Sequence, residues 1–122
     1  MVTFRDLRIW KEAHGLRTEI IKSCKGLPKY EDFIIRSQIE RSSSSVADNI
    51  AESYSAYYYK EKIKILYIAR KEASETQNHL ITMETKNYID YQRCDCLLNR
   101  YESLIRGINA YINYIRRKIV EK

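Results

Sequence analysis

The sequence predicts an all-α protein, an antiparallel up-down-up-down four-helix bundle that forms a single domain over residues 1–122. Only three glycines and one proline occur in the chain, whereas a β-rich protein draws heavily on both residues for its many turns. Apolar residues also recur every three or four positions in four long segments, which is the period of an α-helix. Because the connections between these segments are short, consecutive helices are expected to lie antiparallel.

The first helix is predicted to begin at Thr3 or Asp6 and to end at Lys25. Thr3 followed three residues later by Asp6 resembles a capping box. Gly26 stands where a left-handed residue would end the helix, and Pro28 forbids its continuation. The apolar stripe of this helix consists of Leu7, Trp10, Ala13, Leu16, Ile20 and Cys24.

The second helix is predicted over residues 30–54. Its apolar stripe is thin because Ser42 lies at the centre, and a small residue there lets a neighbouring helix come close. The stripe consists of Ile35, Ile39, Ser42, Val46 and Ile50. Residues 55–59 are predicted to form the connection to the third helix.

The third helix is predicted over residues 60–86, and its stripe consists of Leu66, Ala69, Ala73, Thr76, Leu80 and Met83. Residues 87–89 form a short turn, and Asp90 is a suitable N-cap for a fourth helix that runs toward Val120. The fourth stripe repeats every 3.5 residues, as in coiled-coil packing: Leu97, Tyr101, Leu104, Ile108, Tyr111, Ile115 and Ile119. Gly107 inside this helix predicts a close approach to a neighbour.

The formal net charge of +6 favours attraction to polyanions and carries no information about the fold. The chain shows neither an apolar signal segment at its start nor a run of roughly 20 apolar residues, so we expect a cytoplasmic protein with no membrane partner. Cys94 and Cys96 are two residues apart and therefore point to different faces of a helix. We expect the three cysteines to be free thiols rather than a metal or redox site.

A polar stripe runs along the second helix beside the apolar one. Its residues could simply face solvent, or some could point into the bundle, where Arg41 would need a carboxylate partner. Glu52, and Glu72 or Glu75 on the third helix, are the available partners. We expect a structural polar network that fixes helix register, built from Gln38, Arg41, Asn49, Glu52 and Glu75, with Ser45 in the same stripe.

Signatures of enzymes and metal sites are absent from the sequence. A di-iron bundle needs Glu-x-x-His on two helices, but the residues three positions before His14 and His79 are Lys11 and Thr76. Glu75 and His79 are four residues apart and are expected to touch on the helix surface. We therefore predict no metal, no cofactor and no catalytic residue. The least favoured hypothesis is an enzyme that uses Glu52, Glu75 and Arg41.

Tyrosines and basic residues alternate around the start of the third helix. Tyr54, Tyr57, Tyr58 and Tyr59 precede several lysines, and aromatic rings among cations can stack bases beside phosphates. The favoured alternative is that these rings cover a bundle end or a subunit interface. The candidate phosphate contacts are Lys60, Lys62, Lys64, Arg70, Lys71, Arg116, Arg117 and Lys118.

Two motifs carry a family resemblance. The spacing of Phe4, Leu7, Trp10 and Ala13 matches an opening Phe-x-x-Leu-x-(Val/Ile)-Trp-x-x-Ala, and residues 38–52 are similar to Gln-Ile-x-Arg-Ala-x-x-Ser-Ile-x-x-Asn-Ile-Ala-Glu. On these motifs the chain resembles the bacterial four-helix-bundle family named after proteins encoded in intervening sequences of 23S ribosomal RNA genes. The chain departs from the family pattern at four positions: Ser42 replaces Ala, Ser53 replaces Gly, and Lys71 and Glu72 replace Gly and Ser.

The resemblance implies a bundle that assembles as a homopentamer, has no catalytic activity and is linked to RNA or DNA. A related group, the accessory proteins of diversity-generating retroelements, forms basic pentameric barrels that bind nucleic acid and a reverse transcriptase. We therefore expect a non-enzymatic homo-oligomer that binds nucleic acid, RNA in particular, without sequence specificity. The alternative is a protein-interaction scaffold such as a reverse-transcriptase accessory protein.

Overall fold

The computed structural model describes residues 2–121, apart from the side chain of residue 121, and consists of four long α-helices. They are α1 (Arg8–Ser23), α2 (Ser37–Ser55), α3 (Tyr59–Thr85) and α4 (Tyr91–Glu121). The described part of the chain contains no β-strand. The all-α prediction is therefore confirmed.

Side-chain contacts show that neighbouring helices run antiparallel. At one end of the α2–α3 pair the Lys86 ammonium lies 3.1 Å from Glu31, and at the other the Lys62 ammonium lies 3.1 Å from the carbonyl of Ser53. Residue numbers thus rise along one helix as they fall along the other. Contacts between the other neighbouring helices show the same opposite order of residue numbers. Between α3 and α4 they are Arg70–Asn109 and Gln77–Glu102, and between α1 and α4 they are Glu19–Arg93 and Ile9–Gly107. On the α1–α2 side they are Arg17–Asp48 and Val2–Tyr54.

The core forms where the apolar stripes of the four helices meet. The predicted stripes of α2 and α3 are buried over their whole length. In α1 and α4 most of the predicted stripe is buried, while Leu7, Trp10, Tyr111 and Ile119 are half-buried. Ile112 lies outside the predicted stripe but is more buried than Tyr111, because a helix with 3.6 residues per turn drifts away from a strict 3.5-residue repeat.

The predicted start of the first helix is wrong by a few residues. Thr3 and Asp6 do form a capping box, in which the Asp6 carboxylate accepts from the Thr3 amide at 2.8 Å, but the box closes a separate 3₁₀ turn over Phe4–Asp6. Leu7 is extended, with ψ 126°, and α1 begins only after it. A capping box thus marks the first turn, and the extended residue after it sets the start of the long helix.

The predicted left-handed residue at Gly26 is also wrong. No glycine among residues 2–121 has a positive φ. The chain leaves α1 through hydrogen-bonded turns, in which the Leu27 amide donates to the Cys24 carbonyl at 3.2 Å. The left-handed residue lies instead at Asn87, with φ 62°, just after α3. Asparagine is the non-glycine residue that most readily adopts this conformation at a helix end.

The entry to α2 is built from two short segments that the sequence did not distinguish from the helix itself. Lys29–Glu31 forms a 3₁₀ turn and Asp32–Arg36 a π-helical turn.

The predicted N-cap of α4 is confirmed, because an Asp90 carboxylate oxygen accepts from the Arg93 amide at 2.7 Å.

Gly107 lies where α4 packs closely against α1, as predicted. A β-carbon added there would lie 3.0 Å from the Cγ2 atom of Ile9, closer than such atoms normally pack.

Cys24, Cys94 and Cys96 are free, the first two buried and the third exposed. Among the described residues, none of the helices is long and apolar enough to cross a membrane.

Candidate nucleic-acid interface

One outer face of α3 carries three exposed lysines. Lys60, Lys64, Tyr67 and Lys71 follow each other at steps of four, three and four, and this spacing places them on one side of a helix. The three lysines are exposed and Tyr67 is half-buried. The stripe therefore consists of three exposed ammonium groups with one aromatic ring among them.

Two arginines hold the ring of Tyr67. The Arg70 guanidinium lies 4.8 Å from the ring centroid and that of Arg116 lies 5.8 Å from it. Arg116 also donates to the Tyr67 hydroxyl and, at 3.2 Å, to the side chain of Asn113. Arg70 donates to the side chain of Asn109 at 2.7 Å. Both guanidiniums have neutral hydrogen-bond partners, so no carboxylate in contact with them offsets their positive charge. We call the group Lys60, Lys64, Tyr67, Arg70, Lys71 and Arg116 the α3–α4 basic surface.

Few carboxylates lie near this surface. Residues 60–71 contain one acidic side chain, Glu61, and residues 103–120 contain none. The arginines that do form ion pairs with carboxylates belong to other parts of the bundle: Arg17, Arg36, Arg41 and Arg93. Positive charge on the α3–α4 basic surface is therefore not neutralised locally.

Lys62 lies apart from the other predicted phosphate contacts. Its ammonium donates to the carbonyls of Ser53 at 3.1 Å and Tyr54 at 2.9 Å, in the last turn of α2. Burial lowers the pKa of Lys62 below its usual value. Being two residues from Lys60 and Lys64, its side chain points toward α2, where it satisfies carbonyls that the helix leaves open.

The last two predicted contacts lie near the carboxyl end of α4. Arg117 is exposed. The Lys118 ammonium lies 5.2 Å from the ring centroid of Tyr114 on the same helix. The α3–α4 basic surface as defined above includes neither of them.

The tyrosines before α3 divide into two kinds. Tyr57 and Tyr58 are exposed, the former by 84%, and their rings pack edge to face with centroids 4.8 Å apart. Tyr54 and Tyr59 are half-buried, and the Tyr54 hydroxyl donates to the carbonyl of Val2 at 3.3 Å. Two rings thus stand free in solvent next to Lys60.

Arg41 joins α2 to α3. Its guanidinium lies 3.1 Å from the Glu72 carboxylate and 2.6 Å from that of Glu75. Arg41 is 52% exposed, whereas the Glu72 side chain is only 10% exposed. The hydrogen bond from Arg41 lowers the pKa of Glu75, so this carboxyl is ionised at neutral pH. His79, four residues on, lies 3.5 Å from Glu75, at the predicted spacing.

The other predicted network residues lie apart from Arg41. Gln38 and Glu52 are exposed. Asn49 donates to the carbonyl of Ser45 at 2.8 Å, within its own helix. The polar pair that is buried in the helix interface consists of the Ser42 and Thr76 hydroxyls, 2.7 Å apart. Both residues belong to the predicted core stripes. A buried hydroxyl pair could therefore have been predicted from the polar residues within those stripes.

The chemistry of this cluster is that of an ion pair. Both carboxylates contact the Arg41 guanidinium, and the His79 imidazole lies beside Glu75. In the part of the chain that the structure describes, no three His, Cys, Asp or Glu side chains are placed to hold a metal ion.

Comparison with known proteins agrees with this architecture. A family model described as 23S rRNA-intervening sequence protein matches residues 5–110. The crystal structure of a protein of unknown function from the S23 ribosomal protein family of Bacteroides thetaiotaomicron VPI-5482 has a TM-score of 0.76 and 24% identity, covering 85% of this chain and 97% of that chain. At this identity the likeness shows the fold alone. A search of curated proteins finds no match. The family match spans most of the chain, so the protein belongs to the 23S rRNA-intervening sequence protein family.

Proposed function

We propose that this protein is a non-enzymatic homo-oligomer of the cytoplasm that binds RNA without sequence specificity through the α3–α4 basic surface. The observation that carries the proposal is the row of three exposed lysines beside two arginines that hold Tyr67, with no acidic residue in the facing stretch of α4. Lysine ammonium groups contact phosphates as point charges and do not read bases.

Geometry and family both support RNA as the ligand to test first. The exposed rings of Tyr57 and Tyr58 next to Lys60 are suited to stacking on unpaired bases, which single-stranded RNA presents. The family's description names an intervening sequence of 23S rRNA. DNA offers the same phosphates, so a DNA strand of equal sequence is the natural competitor.

The test is a salt-dependent binding titration. Fluorescence anisotropy of a labelled single-stranded RNA of about 20 nucleotides would be measured from about 50 to 300 mM KCl. Contact with three to five phosphates predicts that log Kd rises with log salt concentration with a slope of about 2 to 3.5. A response that does not depend on salt would contradict the proposal.

A matched pair of variants locates the surface. The double substitution Lys64→Gln and Lys71→Gln is expected to weaken binding and to reduce the slope by about 0.7 for each lysine. Lys22→Gln with Lys25→Gln removes the same charge at the other end of the bundle, where both lysines are exposed, and is expected to change little. Equal losses in both pairs would mean that net charge, and not this surface, attracts RNA.

Homo-oligomerisation is supported by exposed apolar side chains at the entry to α2, and the pentamer is the subunit count that the family resemblance implies. Phe33 is 93% exposed, with Tyr30 and Ile34 also exposed nearby. Rings exposed in this way are enriched at interfaces between proteins. Light scattering is expected to give a mass several times that of one chain, and Phe33→Glu is expected to reduce it. A wild-type monomer would refute this part of the proposal.

The second candidate function is a protein-interaction scaffold, for example an accessory protein of a reverse transcriptase. The same exposed rings favour this function, because they are suited to apolar contacts with another protein. Such contacts do not weaken as the salt concentration rises. It predicts a complex with a protein partner that survives salt concentrations at which RNA is released.

The absence of enzymatic activity is supported by the Arg41 cluster, in which both carboxylates are already paired.

A further inference from the structure

A groove lies between α1 and α4, away from the α3–α4 basic surface. It has a volume of about 600 Å³. Its walls combine basic, apolar and small residues: Arg8, Ile9 and Glu12 from α1, and Arg100, Ser103, Leu104, Arg106, Gly107, Ala110 and Tyr111 from α4. Neither the family match nor the proposed RNA surface assigns a role to it.

Three arginine side chains in this groove have no partner. Within residues 2–121, the guanidiniums of Arg8, Arg100 and Arg106 form no hydrogen bond and no ion pair. Glu12 is the single carboxylate that lines the groove, and it too is unpaired. Elsewhere in the bundle, arginines beside carboxylates form ion pairs, as Arg93 does with Glu19. The groove therefore carries three arginines against one lining carboxylate, and of the three only Arg100 has an electrostatic interaction with a carboxylate elsewhere, that of Glu19.

The floor of the groove is suited to packing against a helix. Ile9 and Tyr111 are half-buried and supply apolar surface, and Ser103 and Ala110 are small, exposed residues on the α4 wall. Small residues let the backbone of another helix approach closely. The α4 wall extends over residues 100–111, about 16 Å at the rise of an α-helix, which matches three turns of a partner helix.

We propose that the α1–α4 groove docks an acidic amphipathic helix from a different protein. Apolar side chains of that helix, spaced three and four apart, would bury the floor, and flanking carboxylates would pair with the three arginines through two-pronged hydrogen bonds. This proposal does not depend on RNA binding.

Charge and surface chemistry favour this occupant over the other two. A nucleic-acid backbone offers phosphates to the arginines, but it gains nothing from the apolar surface of Ile9 and is repelled by Glu12. A second copy of the chain is expected instead at the exposed Tyr30, Phe33 and Ile34 near the entry to α2, which lies beyond the far end of α1 from this groove. An acidic helix matches both the floor and the rim.

The test uses a designed peptide as probe. A fluorescein-labelled peptide of about 18 residues, with Leu at helical spacing and Glu on both flanks, would be titrated with the whole protein and followed by anisotropy. A peptide with Lys in place of every Glu serves as its control. The Glu peptide is expected to bind and the Lys peptide to bind at least about tenfold more weakly.

Protein variants then locate the site. Arg100→Gln with Arg106→Gln, and separately Ala110→Trp, which fills the groove, are each expected to weaken binding of the Glu peptide about tenfold. Lys64→Gln with Lys71→Gln removes the same charge from the α3–α4 basic surface and is expected to leave peptide binding unchanged. All of these residues except Arg100 are exposed, so the variants are expected to fold.

Four results would overturn the proposal. They are failure of the Glu peptide to bind, equal binding by the groove variants and the wild type, loss of RNA affinity in the groove variants, and a lower mass of Ala110→Trp in light scattering. The third would make the groove part of the nucleic-acid surface, and the fourth would make it a contact between copies. The first, second and fourth results are measured without RNA, so a failure of RNA binding at the α3–α4 basic surface would leave them unaffected.

Discussion

Arg41 is the side chain whose loss tests most clearly how α2 and α3 are held together. Arg41→Met keeps an unbranched apolar stem but removes the guanidinium and its two charge-assisted hydrogen bonds, to Glu72 and Glu75. It also leaves the Glu72 carboxylate, which is only 10% exposed, without a cation. An unpaired carboxylate with so little access to water is costly.

The size of the effect follows from exposure. Loss of a fully buried partner costs about 3 to 5 kcal/mol, but Arg41 is 52% exposed and water compensates in part. We expect a loss of about 1.5 to 2.5 kcal/mol in the free energy of unfolding. For a chain of this length that lowers Tm by roughly 6 to 10 °C.

Thermal unfolding followed by circular dichroism at neutral pH measures this loss. Arg36→Met is the matched control, because Arg36 contacts Asp32 and Glu40 at 3.5 Å on one helical surface, and such pairs contribute under about 0.5 kcal/mol. Adding Glu72→Gln to Arg41→Met is expected to restore part of the stability. The reasoning would be refuted if Arg41→Met melted within about 2 °C of the wild type, or if Arg36→Met cost as much.

Three further predictions concern the core and its ends. Tyr101→Phe is expected to stabilise the protein by about 1 kcal/mol in urea unfolding, because the Tyr101 hydroxyl is buried without a hydrogen-bond partner among the described residues; a loss of stability would show that the hydroxyl is satisfied. Gly107→Leu is expected to cost about 1 to 3 kcal/mol through overlap with Ile9, and adding Ile9→Ala should recover part of it; a neutral Gly107→Leu would mean that the helices can separate freely. Hydrogen bonds from Tyr88 and Lys86 lower the pKa of Glu31 below its usual 4.5, so the stability they give is present above that pH and is lost as pH falls below it. Glu31→Gln should therefore lose less stability than the wild type between about pH 5 and pH 3, and equal slopes would contradict the assignment.

The long helices were predictable because their evidence is repeated many times along the chain. The apolar stripe of α3 has six members, and all of them are buried. Helix ends rest on single residues, and there the sequence was less informative. Gly26 and Asn87 are both able to adopt the left-handed conformation, but only the path of the chain decides that Asn87 does so.

The candidate sites divide in the same way. Lys60, Lys64 and Lys71 share a face by spacing alone, so the sequence places them together. That Lys62 contacts the end of α2 depends on how two helices meet, and no spacing within α3 reveals it. The unpaired arginines of the α1–α4 groove come from helices that are far apart in the sequence, so only the folded chain shows that they converge.

The central claim is that RNA contacts the α3–α4 basic surface, and photo-crosslinking tests it most directly. RNA that carries 4-thiouridine would be crosslinked to the protein, and the attached peptides would be identified by mass spectrometry. We predict crosslinks in residues 57–71 and 113–117, with Tyr67 or the exposed Tyr57 and Tyr58 as the acceptors. Crosslinks confined to α1 and α2, or none at low salt, would contradict the proposed function.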